Sequence, residues 1–308
     1  MYPLLFDNAP HELVWGRETW EISDVEGSQS VVANGALAGR TLQSLVGEYG
    51  ASLLGVKVSQ AGKGRFPLLV KFIDAHDNLS IQVHPDDALA MQRHHVPGKT
   101  EMWYVMHAAP GASLLAGFRQ AITRDEYARR VSDGTILDVL ARHEVLPGDV
   151  FYIPAGRVHS ICGGIQLCEI QQSSDITYRL FDYHRTGLDG KPRELHTELA
   201  CDAIDFHVYP SYRTHYVPPH EAAVQVVDCP FFVVSVVATS SSLRRFLRTQ
   251  GSFVVLSCLS GKARITDLLG QDVVLHEGAS CLLPAAVADY AVDALEGTEV
   301  RLLETYSK

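Results

Sequence analysis

Along most of the chain the apolar positions recur every second residue, the period of a half-buried strand, in runs cut short by glycine and proline. Glu18–Ser23 alternates in this way. Phe66–Asp74 is a continuous apolar run broken by Lys71, as in a buried strand. Alternation returns in Ser80–His84, entered through the turn signal Asp77-Asn78, and β-type content in Glu101–His107, Val150–Ile153, Ile165–Gln171 and Ile176–Asp182. From Glu221 onward short β-type runs dominate: Phe231–Ala238, Ser252–Leu259, Ala263–Asp267, Val273–His276, Cys281–Leu283 and Val300–Glu304. Helical signals are fewer. Thr41–Tyr49 reads as a short helix, and Asp86-Asp87 as caps before a helical or looped insert over Ala88–His95. Thr123-Arg124-Asp125-Glu126 is a capping box for a helix through Arg130, and Thr135–Arg142 predicts a second helix after Asp133-Gly134. Tyr183–Pro219, irregular and rich in His, Arg and Pro, reads as a connection between domains.

One pattern occurs twice, 130 residues apart. Gly148, Pro154, Gly156 and His159 match Gly278, Pro284, Ala286 and Asp289 in spacing, each set with an apolar-acidic lead-in. The physical logic is a glycine turn, a strand, and a proline-closed bend that swings a side chain inward. Many short strands with glycine turns predict a mainly β fold of jelly-roll barrels, and the repeat predicts two in tandem. The expected domains are 1–215, with a small helical insert near 121–142, and 216–308.

The chemistry sits in the first copy. On a strand, Gln82 and His84 share a face, because side chains alternate. If Lys99–Trp103 is extended, Lys99 and Glu101 share one too. An amide, an imidazole and a carboxylate make a divalent-metal site once a further ligand joins them, and the first bend supplies His159. The second bend carries Asp289 and has no Gln-x-His strand before it, so the second domain is expected to lack metal. Each residue also has a bland reading. His84 alone would be a satisfied structural histidine, Glu101 a surface carboxylate, and Arg179, between apolar Tyr178 and Leu180, half of a salt bridge. Lys99 would be a surface charge, and Asp175 a turn cap after Ser173-Ser174.

Composition narrows the picture. The 308 residues are 46% hydrophobic and 20% charged, as in a soluble globular protein with a sizeable core. No apolar run approaches the length of a membrane helix, and Met1–Trp15 lacks the character of a signal peptide, so the expected compartment is the cytoplasm. Six cysteines without a CxxC pair read as thiols. A net charge of −10 argues against nucleic-acid binding and requires a local positive pocket for any anionic substrate.

Gly148–His159 resembles the second signature motif of cupins. Lys71–Asp74 through Ser80–Asp87, then Gly98–Tyr104, then Glu169–Arg179, resemble the type I mannose-6-phosphate isomerases in their short bacterial form. The resemblance extends to Val14-Trp15-Gly16 and Thr19–Ser23, and weakens in the second barrel. It implies two cupin-type barrels and one Zn²⁺ per chain, held by Gln82, His84, Glu101 and His159. It assigns the active-site arginine to Arg179, with Lys99 before the ligand glutamate and Asp175 four residues before the arginine. The implied reaction interconverts mannose 6-phosphate and fructose 6-phosphate through an enediol-type intermediate, in a monomer or homodimer that takes a small sugar phosphate. Two departures stand out: a loop after Trp15-Gly16 is shortened, and the helical domain of larger members is reduced to the insert around Ala121–Arg142. The alternatives are a non-catalytic sugar-binding cupin, or a cupin isomerase of another sugar phosphate. A metal-dependent dioxygenase is disfavoured by Gln82, where such enzymes carry His.

Overall fold

The computed structural model describes residues 1–61, 64–247 and 250–308. The chain divides into two compact units: residues 10–19 with 72–214, and residues 1–9 and 20–71 with 215–308. One division falls between 214 and 215, and residues 20–71 group with the C-terminal segment and not with 72–214. The division falls inside two strands, Gly16–Ile22 and Leu68–Ala75. No helix among the described residues is long and apolar enough to cross a membrane.

The unit built on 72–214 is a sheet-on-sheet structure. A five-stranded antiparallel sheet runs Leu140–Glu144, Ser113–Phe118, His159–Ile161, Ile81–Val83, Tyr178–Phe181. A larger sheet is ordered Arg213–Thr214, Val150–Ile153, Glu101–Ala108, Ile165–Gln172, then Leu68–Ala75, Gly16–Ile22 and Pro10–Leu13. Alternation along each strand sorts the side chains. Leu114, Ala116 and Ile161 of the smaller sheet pack with Trp103, Val105, Phe151, Ile153 and Leu167 of the larger one. The other face of the smaller sheet, with Ile81, Val83, Leu115, Tyr178 and Leu180, packs on Tyr127, Val131 and Ala200 of two helices, Arg124–Ser132 and Thr197–Ala203. The first of these starts as its capping box predicts, Thr123 Oγ1 accepting the N–H of Glu126.

The second unit repeats the plan with a five-stranded sheet (Ala222–Asp228, Phe232–Thr239, Val300–Ser307, Val254–Ser260, Ser280–Leu283) and a four-stranded one (Ser242–Arg245, Tyr290–Ala294, Lys262–Asp267, Asp272–His276). Val237, Leu256 and Leu302 meet Ile265, Leu275 and Val292 in its core. The fold is mainly β, as the periodicity implies. Its sheets are open and packed in pairs, where the sequence predicted two jelly-roll barrels in tandem.

The predicted helix over Thr135–Arg142 is a correction. Ile136–Val139 forms a single 3-10 turn, and Leu140–Glu144 is a strand paired with Ser113–Phe118. Its alternating burial follows from an edge position with one face covered, and a sheet partner outweighs weak helical propensity. Ser113–Phe118 itself was missed: buried on both faces, it has no alternation to read. The supposed connection over Tyr183–Pro219 holds the helix Thr197–Ala203 and the short strand Arg213–Thr214.

Candidate metal centre

Gln82 sits mid-strand with Ile81 and Val83 turned to the helices, so its side chain faces the larger sheet. His159 lies directly opposite Gln82 across the ladder, and Arg179 opposite Gln82 on the other side, so all three share that inner face. Pro85 follows His84, and the helix Asp87–His94 begins, capped by Asp86 accepting from the N–H of Leu89. The chain then returns beneath the start of this helix. A Cβ at Gly98 would lie 2.5 Å from the backbone at Asp86 and Asp87, so only glycine fits. Asp87 Oδ1 accepts from Gly98 N and from Gln172 Nε2, and Lys99 N donates to the Pro85 carbonyl. That closure sets Lys99 and Glu101 against His84.

The three titratable side chains converge. His84 Nε2 is 3.4 Å from Glu101 Oε2, and His159 Nε2 is 3.2 Å from Glu101 Oε1. Their potential ligand atoms all lie within 4.8 Å of one another. Gln82 brings its terminal amide to 3.3 Å from His159 Nε2. Lys99 Nζ is 3.3 Å from Glu101 Oε2. His159 and Glu101 are wholly buried.

The outer hydrogen bonds fix what these groups can do. His84 Nδ1 meets the carbonyl of Ile176 at 2.9 Å, and His159 Nδ1 meets that of Arg157 at 2.7 Å. Carbonyls only accept, so each ring carries its proton on Nδ1 and turns a bare Nε2 inward, as in metal-bound imidazoles. Burial pushes the His84 imidazole down to about 3, with Lys99 acting in the same direction and Glu101 against it. His159 is lowered by burial too. Burial opposes ionisation of Glu101, yet Lys99, His84 and His159 hold it below the usual carboxylate range. Burial likewise opposes the charge on Lys99, and Glu101, Glu169, Asp175 and Glu18 outweigh it, holding the amine above the ordinary lysine range. His84 Nε2 and both Glu101 oxygens are buried without a hydrogen-bond partner. Two neutral imidazoles and a carboxylate with unsatisfied buried lone pairs could hold a metal ion.

The remaining sequence candidates lie around this core. Arg179, half-buried, donates from Nη1 to the Glu194 carbonyl and has a buried Nε without a partner. Asp175 is exposed on the segment leading into the Tyr178–Phe181 strand, and its charge acts on Lys99. The sequence reading passed over the supports. Trp103, edge-on to the His159 ring, donates its indole N–H to Glu169 at 2.8 Å. Its position two residues after Glu101 was a usable signal, whereas the carbonyls of Ile176 and Arg157 carry none.

A family model described as the catalytic domain of type I phosphomannose isomerase matches residues 15–105, and one described as the cupin domain of mannose-6-phosphate isomerase matches residues 223–303. Mannose-6-phosphate isomerase of Streptococcus mutans is 33% identical over 312 residues, covering 94% of this chain and 95% of its own. The chain belongs to the type I phosphomannose isomerase family. Mannose-6-phosphate isomerase ManA of Bacillus subtilis is also 33% identical, over 94% of this chain and 96% of its own. A crystal structure of mannose 6-phosphate isomerase from Bacillus subtilis matches with a TM-score of 0.81 at 26% identity, covering 99% of both chains. Family membership makes the chain an isomerase, and the resemblance read from its motifs holds.

Proposed function

We propose that the chain interconverts mannose 6-phosphate and fructose 6-phosphate, with one zinc ion held by Gln82, His84, Glu101 and His159. The observation that carries this reading is the set of buried, unpartnered acceptors, His84 Nε2 and the two Glu101 oxygens, beside His159 Nε2. Gln82, whose amide lies 3.3 Å from His159 Nε2, would complete the set through its amide oxygen. Bound there, zinc supplies charge that polarises a sugar oxygen with no redox change.

The reaction moves a proton between C1 and C2, and the chain's own groups divide the work. Lys99, its amine held against burial and above the ordinary lysine range chiefly by Glu101, offsets negative charge developing beside Glu101. Arg179, on the same inner face as Gln82, meets the oxyanion of the enediol-type intermediate with a planar guanidinium. Of the four acids that act on Lys99, Glu101 belongs to the ligand set, Glu169 is engaged by Trp103, and Asp175 and Glu18 remain. Of these two, Asp175, exposed and four residues before Arg179, is assigned the proton transfer. A phosphorylated sugar fits the charge pattern. Arg185 and Arg193 pair with the buried Asp182, and their charges reach Arg179. These three guanidiniums, with Asp182, Asp77 and Glu194 as their counter-charges, lie within a protein of net charge −10. On this reading the first domain carries the metal and residues 216–308 form a metal-less domain.

The test is turnover of mannose 6-phosphate before chelation, after it, and with zinc restored. Activity should vanish and return. Protein that holds one zinc without turnover overturns the substrate, and protein that binds no metal overturns the ligand set. Asp175→Asn should keep its zinc and lose roughly 10²- to 10⁴-fold in kcat. An undiminished kcat removes Asp175 from the mechanism.

A further inference from the structure

Among the described residues the strand Tyr178–Phe181 is the edge of its sheet, with Ile81–Val83 on one side and no strand on the other. An edge strand leaves backbone groups unpaired. At Arg179 those groups are taken up by a single residue. The N–H of His196 donates to the Arg179 carbonyl at 2.7 Å. The N–H of Arg179 donates to the ring Nδ1 of His196 at 3.1 Å. Because both backbone groups of Arg179 turn outward to His196, its pairing with Gln82 is of the close, non-hydrogen-bonded kind, in which side chains approach nearest.

The same segment holds the guanidinium, since Arg179 Nη1 donates to the carbonyl of Glu194 at 2.9 Å. His196 in turn is anchored by the helix that follows it. Its carbonyl accepts from the N–H of Ala200, and the helix Thr197–Ala203 buries Ala200 in the core beneath the strand. The ring can accept from Arg179 only while Nδ1 is unprotonated. Burial, Arg179 and His94 favour that neutral form, and Glu194 opposes it.

We propose that His196 is a positioning residue for Arg179, transmitting the fixed position of the following helix to the backbone of the arginine through a two-point hydrogen-bonded clamp. The proposal rests on the reading of Arg179 as the guanidinium that meets the reacting sugar. The side chain of His196 does not itself touch the reacting atoms. Its role is to stop the edge strand from fraying at the one residue whose side chain must hold its direction.

The experiment uses the metal-loaded full chain and four variants: Arg179→Ala, His196→Leu, the two combined, and His196→Asn. Asparagine carries its oxygen on Cγ, where imidazole carries Nδ1, so it restores the acceptor. His196→Leu should lower kcat for mannose 6-phosphate roughly 10- to 100-fold, the scale of a small misplacement in an active site. Its zinc content should be unchanged, and His196→Asn should recover to within a few-fold of the parent. In the Arg179→Ala background the leucine substitution should cost nothing further, because its effect passes through the arginine. Full activity in His196→Leu, or a loss that multiplies with that of Arg179→Ala, overturns the clamp. Full activity in Arg179→Ala overturns the reading of the arginine instead. If the leucine variant does not fold, His196→Gln, whose oxygen lies one carbon too far, replaces it. Gln as active as Asn then overturns the proposal, and Gln impaired beside active Asn supports it.

Discussion

Two buried glutamates, one in each unit, show how alike surroundings lead to opposite uses. Glu101 and Glu304 are both wholly buried on long strands inside their sheets. Glu304 is saturated: Arg245 donates to its two oxygens at 2.8 and 2.7 Å, and the Tyr290 hydroxyl adds a third bond at 2.8 Å. Glu101 has neighbours at 3.2–3.4 Å but no hydrogen bond at either oxygen. A carboxylate closed by a forked guanidinium has nothing left to bind. A carboxylate surrounded by bare imidazole nitrogens is unfinished, and something must complete it.

The chain bends that lead to these places follow the same contrast. Gly148 and Gly278 both adopt positive φ, at 95° and 78°, where a side chain would be strained. After each comes a strand, Val150–Ile153 or Ser280–Leu283, then a proline, then a crossing into the partner sheet. The first crossing begins with His159 among the acceptors. The second passes through Asp289 into Tyr290, which goes to Glu304. One backbone device therefore serves a site in one unit and a closed network in the other.

Breaking each glutamate should give different failures. Glu101→Ala removes the central carboxylate and should weaken metal binding by more than the ~100-fold cost of losing an outer-shell partner, with turnover abolished. Metal titration checks it, and tight metal binding by this variant would remove Glu101 from the ligand set. Glu304→Ala should leave metal content unchanged and cost about 3–5 kcal/mol in stability, since it strands a paired arginine. The lower end is expected because the Arg245 side chain keeps 26% exposure. Denaturant unfolding reads this directly.

Glu21 sharpens the comparison as a buried glutamate whose burial penalty its hydrogen bonds do not offset. Burial raises its carboxyl from 4.5 to about 7, with hydrogen bonds from Ser280 and Asn8 acting the other way. The folded state thus binds this proton more tightly than the unfolded chain does. Its contribution to stability is complete below pH ~4.5 and is lost as the pH rises through ~7. Glu21→Gln should flatten that slope and stabilise the protein at pH 8 by roughly 2–3 kcal/mol. An unchanged pH dependence of unfolding would refute the assignment. The smallest effect is expected from Asp289→His, which copies the first bend's residue into the second. With no Gln-x-His strand or free carboxylate beside it, metal stoichiometry should stay the same.

Much of the site could be read locally. Alternation alone put Gln82 and His84 on one face, because the two-residue period belongs to the strand and needs no partner. The motif around His159 and the capping box at Thr123 were equally self-contained. Reading failed where burial removed the pattern, at Ser113–Phe118, and where a sheet edge recruited a segment of mixed signals, at Leu140–Glu144.

Sequence by itself determined the residue types of the proposed ligand set, the mainly β character, the twice-used bend and the family. Tertiary structure decided the rest. It set the tautomers of His84 and His159, because the carbonyls of Ile176 and Arg157 that fix them belong to a backbone common to every residue. It set Arg179 opposite Gln82 and under the hold of His196, because register is chosen by distant pairing. It also grouped residues 20–71 with the C-terminal segment, a choice made by burial between stretches of chain far apart in sequence.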